Sequence, residues 1–265
     1  MSDYKAEEIC NGFWRIVDAK QCCIYLIEGE MRSLVIDTGM SEEPLFPFVK
    51  TLTDKPVDLI LTHAHIDHMY RAEEFEKVYI HEKERMHYTK ASQRLMNFGS
   101  IPFKLKRKDY PVNTYIPVAE GSDIDLGGLK IKCIGAFGHT PGSMLLIDET
   151  HQAVLCGDAV GSGSGVWMFL PDCTSVKDYR DSLEKTLEKL APYKAFSYYG
   201  GHSEQDEGKY SHKLSYATFE DMYTLCRGII SKTLAPTPFT KLPVKVLFYY
   251  RYKTAAMVTR RGKMK

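Results

Sequence analysis

Several features are scarce in this chain, and each scarcity closes off a class of function. No apolar run approaches the roughly 20 residues that a membrane-spanning helix needs, so no membrane partner is expected. Net charge is nearly absent: 35 Lys+Arg stand against 34 Asp+Glu, a formal +1. Without a field of one sign, nucleic acid is not an expected partner either. The opening Met1-Ser2-Asp3-Tyr4-Lys5-Ala6-Glu7-Glu8 lacks the basic-then-apolar pattern of a signal peptide, which gives a cytoplasmic location as the expectation. The 7 cysteines, at positions 10, 22, 23, 133, 156, 173 and 226, are odd in number, show no C-x-x-C spacing and lie partly in apolar runs. They read as reduced core thiols. No G-x-S-x-G elbow occurs, and Gly161-Ser162-Gly163-Ser164-Gly165 has neither the spacing of a P-loop nor its following Lys-Ser/Thr. That stretch reads as a flexible linker or lid.

What the chain does have is Thr62-His63-Ala64-His65-Ile66-Asp67-His68, three imidazoles and one carboxylate within six consecutive positions. The cluster follows Val57-Asp58-Leu59-Ile60-Leu61, a short apolar run behind Pro56 that reads as a buried strand. His63 and His65 are two apart, a spacing that suits an extended or looping backbone, after which Asp67 and His68 swing round behind them. Neutral imidazole with carboxylate is a donor set for zinc, with iron or manganese as alternatives.

The order of elements predicts an α/β protein. Strands are expected at 13–17, 22–27 and 34–36, then a helix capped by Ser41 with Leu45, Phe48, Val49 and Leu52 on one face. The strand before the histidines, a polar helix over 71–76 and a strand at 78–80 follow. From Glu82 to about Pro117 the sequence changes character, with a predicted helix over 82–97 and the basic run 104–108; this reads as an insertion at about 82–117. A hairpin around Gly127-Gly128 leads to Gly138-His139-Thr140-Pro141-Gly142-Ser143. Two short strands come next, the second ending at Gly157-Asp158. Ser175 with Asp178 opens a helix with Val176, Tyr179, Leu183, Leu187 and Leu190 on one face, ended by Pro192. A strand at 195–199 runs into Gly200-Gly201-His202, and a helix over 212–230 and strands at 244–252 and 255–259 complete the expectation. No linker divides the chain, so residues 1–265 are read as a single domain.

His63-Ala64-His65-Ile66-Asp67-His68, Gly138-His139-Thr140-Pro141-Gly142-Ser143, Cys156-Gly157-Asp158 and Gly200-Gly201-His202 occur in the order and near the spacing of the ligand motifs of the metallo-β-lactamase superfamily. The resemblance covers most of the chain, including Asp37-Thr38-Gly39. It implies a four-layer αββα sandwich, two mixed β-sheets flanked by helices, with two divalent metal ions at one sheet edge. Carried over residue by residue, His63, His65 and His139 hold the first metal, Asp67, His68 and His202 the second, and Asp158 bridges them. The activity implied is hydrolysis of a small ester, thioester, lactone or phosphoester by a hydroxide shared between the metals, with Asp67 orienting that hydroxide or accepting its proton. Asp37 is expected to fix a histidine tautomer or to cap a turn.

The motifs are similar to those of the glyoxalase II and lactonase-like branches, although the last 60 residues do not match the helical substrate domain of glyoxalase II. The alternative is an iron-dependent oxidoreductase of the same fold, resembling the persulfide dioxygenases; the complete ligand set argues for hydrolysis. Where family members often continue the first motif with two glycines, this chain has Met69-Tyr70, which predicts bulk beside the second metal. Trp167 and Phe169, after Asp158, read either as an apolar wall for a small-molecule substrate or as core.

Overall fold

Pairing begins with residues that carry no apolar pattern. Lys5–Cys10 forms strand β1, exposed along nearly its whole length and paired antiparallel to β2 (Phe13–Val17). Its partner supplies what its own sequence lacks, because Phe13 and Ile16 of β2 are fully buried. The computed structural model describes residues 2–84, 114–161, 165–203, 213–239 and 247–264. The chain divides into two compact units, Met1–Cys133 with Asp148–His151, and Ile134–Ile147 with Gln152–Lys265.

In the first unit β1, β2, β3 (Cys23–Glu28) and β4 (Ser33–Ile36) make an antiparallel meander, joined by short turns. Beyond β4 the pairing becomes parallel, through β5 (Val57–Ile60), β6 (Lys77–His81) and β7 (Thr114–Val118), completing a seven-stranded sheet in sequence order. Parallel neighbours need a crossover, and helix α1 (Leu45–Val49) lies between β4 and β5, as α2 (Ile66–Met69) lies between β5 and β6. The apolar core here joins Ile16, Ile24, Leu26, Val35, Leu59, Val78 and Ile80 of the strands with Leu45, Val49, Met69, Tyr70 and Phe75.

Several local expectations need correction. The helix expected from Ser41 starts only at Leu45, behind Pro44. Ser41 instead donates its hydroxyl to Asp3 Oδ2 (2.8 Å) and accepts the Glu43 N–H (3.0 Å), which closes a turn in place of a helix cap. The helix expected over 71–76 is a single 3-10 turn, Ala72–Glu74, because the Arg71 N–H is drawn to the Thr38 hydroxyl (3.0 Å) and its Nε to the Ser41 carbonyl (2.9 Å). Residues 114–117, counted in the insertion, belong to β7 in the main sheet. Residues 82–84, where the helix expected over 82–97 begins, form a 3-10 turn, and the rest of the insertion, 85–113, lies outside the described residues together with the basic run 104–108.

β8 (Asp123–Asp125) and β9 (Lys130–Gly135) form the expected hairpin. β10 (Met144–Asp148), in the second unit up to Ile147, and β11 (Ala153–Leu155) are buried at every position, and β11 pairs in parallel with β13 (Ser197–Tyr199). The strand order is β13-β11-β10-β9-β8. A further four-stranded sheet, β12-β16-β15-β14, joins β12 (Val166–Trp167) in parallel to β16 (Ala255–Arg260), with β15 (Leu247–Tyr252) and β14 (Thr237–Pro238) beyond.

Between β12 and β13 runs helix α3 (Val176–Leu190), whose N-cap Ser175 accepts the Asp178 N–H, a cap that contributes about 1 kcal/mol. Its buried stripe is Val176, Tyr179, Leu183, Thr186 and Leu190, and it packs on α4 (Tyr216–Ile230), which opens with a capping box between Ser215 and Thr218. Among the described residues no helix is long and apolar enough to cross a membrane. All seven cysteines are free thiols and six are buried; Cys10, on the exposed β1, departs from the core expectation. Burial pushes the Cys133 and Cys173 thiols up to about 12, so both stay protonated and inert.

Candidate metal centre

β5 ends at Ile60, and the next residues are fixed one by one. Thr62 is tied to Asp37 twice, its N–H to Oδ1 and its hydroxyl to Oδ2, each at 2.8 Å. The Ala64 N–H, between His63 and His65, donates to Glu84 Oε2 at 3.0 Å, and Glu84 is fully buried. His65 is the N-cap residue of α2; its carbonyl accepts from the N–H groups of His68 (3.0 Å) and Met69 (3.1 Å). The chain bends at Thr62 and His63, is extended at His65 and is helical from Ile66, so the loop expected for Asp67 and His68 is one helical turn. That turn brings the three imidazoles together, with ring centroids of His63 and His65 4.7 Å apart and of His63 and His68 4.1 Å apart.

Asp37, with φ of 61°, occupies the left-handed region that Asp tolerates better than most residues. This places its carboxylate where Oδ2 meets His68 Nδ1 at 2.8 Å. A carboxylate oxygen only accepts, so Nδ1 of His68 carries the proton and Nε2 keeps its lone pair. His63 follows the same logic at one remove. The single hydroxyl proton of Thr62 goes to Asp37, so Thr62 Oγ1 accepts from His63 Nδ1 (3.1 Å), which makes Nε2 the lone-pair nitrogen of His63.

The bulk expected beside the second metal is taken up elsewhere. Met69 and Tyr70 are fully buried in the apolar core of the first unit, and the Tyr70 hydroxyl donates to Glu42 Oε1 at 2.6 Å.

In the second unit His139 follows β9 in a turn closed by Gly138 N–H to the Thr140 carbonyl (2.9 Å) and by the Thr140 and Ser143 hydroxyls (2.7 Å). His139 Nδ1 meets the Trp167 carbonyl at 3.0 Å. That carbonyl, too, can only accept, so His139 also presents Nε2 as its lone-pair nitrogen. Asp158 follows β11, and the turn that carries it is joined to the one carrying His202 by Gly201 N–H to the Gly157 carbonyl (3.0 Å). Asp158 Oδ2 lies 3.5 Å from His202 Nε2 and 3.9 Å from His139 Nε2.

This donor set fits a divalent cation. Ligand atoms that each approach one ion to about 2 Å stand up to about 4 Å apart, and the separations around Asp158 lie in that range, beyond an ordinary hydrogen bond. His63, His68 and His139 each have Nδ1 engaged by a neighbour that selects the tautomer a metal ligand requires. His63, His65, Asp67 and His68 of the first unit and His139, Asp158 and His202 of the second are side chains of the kind that could hold metal ions.

Trp167 and Phe169, the candidate substrate contacts, are half-buried, with ring centroids 5.2 Å apart, and pack on Phe239, Leu247 and Val258. Sequence reasoning missed three contributors. Glu84 carried no motif, Thr62 looked like a flank of the cluster, and Trp167 acts through its backbone carbonyl, which no side-chain pattern reports.

Comparison with known proteins places these observations. An acyl-coenzyme A thioesterase, MBLAC2 of Gallus gallus, is 26% identical over 190 residues, covering 62% of this chain and 66% of the relative. This chain thus spans just under two thirds of that enzyme's length. Hydroxyacylglutathione hydrolase GloC of Haemophilus influenzae is 25% identical over 149 residues, covering 54% and 68% respectively. Among solved structures, an archaeal metallo-beta-lactamase superfamily protein from Sulfolobus tokodaii superposes with a TM-score of 0.56 at 18% identity, covering 92% of each chain, which shows the fold. With its mixed sheets, flanking helices and a match of residues 17–202 to the family model, the chain belongs to the metallo-beta-lactamase superfamily.

Proposed function

We propose that the protein is a dinuclear metal-dependent hydrolase acting on a small thioester or related ester, with residues 1–265 working as one domain. In this reading His63, His65 and His139 would hold one ion and Asp67, His68 and His202 the other, with Asp158 available to both. The observation that carries it is the tautomer selection: Asp37, Thr62 and the Trp167 carbonyl each engage a histidine Nδ1, and no such agreement is needed for histidines that merely pack. Bound there, two divalent ions, zinc ahead of iron or manganese, would polarise an acyl carbonyl and lower the pKa of a water toward about 7.

The chain's own groups do the rest. Asp158 would supply negative charge between the two ions. Asp67, in the first turn of α2 with its side chain 25% exposed, is within reach of solvent and orients the attacking water or takes its proton. A cysteine nucleophile is not favoured, because Cys156 is buried at the end of β11 with Sγ directed at the Val154 carbonyl (3.6 Å). The acyl-coenzyme A thioesterase relative supports a thioester ahead of a lactone or phosphoester.

The test is metal analysis of the purified protein together with hydrolysis of thioester, ester, lactone and phosphodiester substrates. The expected result is about two ions per chain, halved or emptied by Asp158→Ala, with thioesters cleaved fastest and chelator abolishing turnover. Full metal retention in Asp158→Ala would remove the shared-ligand assignment. Turnover that requires dioxygen with iron bound would replace hydrolysis by oxidation.

A further inference from the structure

Two ligand-bearing turns of the second unit leave different strands, the His139 turn after β9 and the Asp158 turn after β11, and one side chain touches both. Tyr179, in the second turn of α3, lays its ring against Gly138, the residue before His139. A Cβ at position 138 would fall 2.0 Å from Tyr179 Cδ2 and 2.7 Å from Cγ, so the backbone there approaches the ring as closely as only glycine permits. The other end of the same side chain donates its hydroxyl to the carbonyl of Ala159, the residue after Asp158, at 2.5 Å.

The helix that carries Tyr179 is itself pinned to the first turn. Thr174 donates its N–H (2.9 Å) and its hydroxyl (3.2 Å) to the Gly138 carbonyl, just before the Ser175 cap. Tyr179 is 1% exposed, and that burial holds its phenol well above the usual pKa, so the hydroxyl keeps its proton and remains a donor.

We propose that Tyr179 is a positioning residue that sets the spacing of His139 and Asp158, bracing the peptide before one against the peptide after the other. The proposal rests on the reading of His139 and Asp158 as metal ligands. A tyrosine that only fills the core would do so through its ring, and phenylalanine would serve equally. A tyrosine that spaces the two turns needs the hydroxyl as well, because the ring reaches Gly138 and only the oxygen reaches Ala159.

Tyr179→Phe therefore separates the two roles. In the full-length protein, zinc affinity is measured by competition with a chromophoric chelator, and the cobalt(II)-substituted form gives a visible spectrum that reports ligand geometry. Metal-free melting reports the fold. Tyr216→Phe is the control, since Tyr216 also donates to a backbone carbonyl, that of Leu187 (3.2 Å), on the helix pair and not on a ligand turn. The expected result is a roughly 10- to 100-fold loss of zinc affinity in Tyr179→Phe, as for other groups that orient metal ligands, with an altered cobalt spectrum. Metal-free melting should match that of Tyr216→Phe, which should bind zinc like the wild type. Unchanged affinity and spectrum in Tyr179→Phe, an equal loss in Tyr216→Phe, or collapse of the metal-free Tyr179→Phe protein would each overturn the proposal. Failure of the wild-type protein itself to bind zinc or cobalt would overturn the underlying metal assignment, and the proposal with it.

Discussion

Asp37 Oδ2 lies 2.8 Å from His68 Nδ1 and 2.8 Å from the Thr62 hydroxyl, so one buried oxygen fixes His68 directly and His63 through Thr62. Both donors point at it, and this decides what a substitution does. In Asp37→Asn one of the two oxygens becomes an NH₂ group, which must face either these two donors or the Thr62 N–H on the other side. We expect zinc affinity to fall roughly 10- to 100-fold. Metal-free stability should drop by about 1–3 kcal/mol, the cost of leaving a buried donor without its acceptor. Chelator competition and thermal unfolding measure the two, and an Asn variant that binds zinc like the wild type would show that tautomer selection contributes nothing.

Glu84 acts on the neighbouring peptide. Its Oε2 accepts the Ala64 N–H at 3.0 Å from a fully buried position, so it holds the backbone between His63 and His65. Glu84→Ala should destabilise the metal-free protein by about 1–3 kcal/mol. It should also weaken zinc binding, while Glu84→Gln, which keeps an acceptor oxygen for the same N–H, should recover most of both. If Gln proves as damaging as Ala, the hydrogen bond to Ala64 is not what Glu84 provides.

His81 gives the fold an acid-sensitive point. Burial lowers its pKa below the usual 6.5, and its Nδ1 accepts the Lys83 N–H at 3.1 Å, which requires the neutral ring. The unfolded chain therefore binds a proton here more readily than the folded chain. This contribution to stability is complete above about pH 6.5 and is lost as pH falls below it. Replacing His81 with Asn, which offers an uncharged acceptor near the same place, should flatten the fall in metal-free melting temperature between about pH 7 and 5. A variant whose melting curve tracks the wild type in parallel across that range would show that His81 contributes no part of the slope.

How much of this was legible in the sequence follows from how each residue acts. His63, His65, Asp67 and His68 were visible because the donor atoms are side chains packed into six positions. Glu84 and Trp167 were not, because one acts on a backbone N–H twenty residues away and the other through its own carbonyl. Tyr179 fell in a helical stripe that also holds Val176, Leu183 and Leu190, and a stripe reports burial without saying which member touches a ligand turn. β1 escaped notice because its exposed Lys, Ala and Glu have no alternation to read. α2 escaped because four residues are too few for a period. The strands that were anticipated, such as β10 and β11, are buried at every position and apolar but for Asp148 at the end of β10, so composition alone is informative.

Trp167 presents two separable groups, a carbonyl and an indole, and its substitution should divide their effects. Its carbonyl holds His139 Nδ1 and survives any side-chain change, whereas its indole packs with Phe169 against Phe239, Leu247 and Val258 while remaining partly exposed. The proposal that these two rings wall a small-substrate site requires that exposure. Truncating a fully buried large aromatic costs about 3–5 kcal/mol, and a ring that keeps part of its surface in water costs less. Trp167→Ala should therefore lower the melting temperature modestly and leave metal content near the wild-type value. The ranking of kcat/KM among thioesters of different acyl length should change, with the longer apolar chains losing most because they gain most from an aromatic wall. Measured together, metal stoichiometry, melting and kcat/KM across the acyl series decide the matter. Uniform loss toward every substrate, with a large fall in melting temperature, would make the indole a core residue whose only link to the site is the carbonyl behind it.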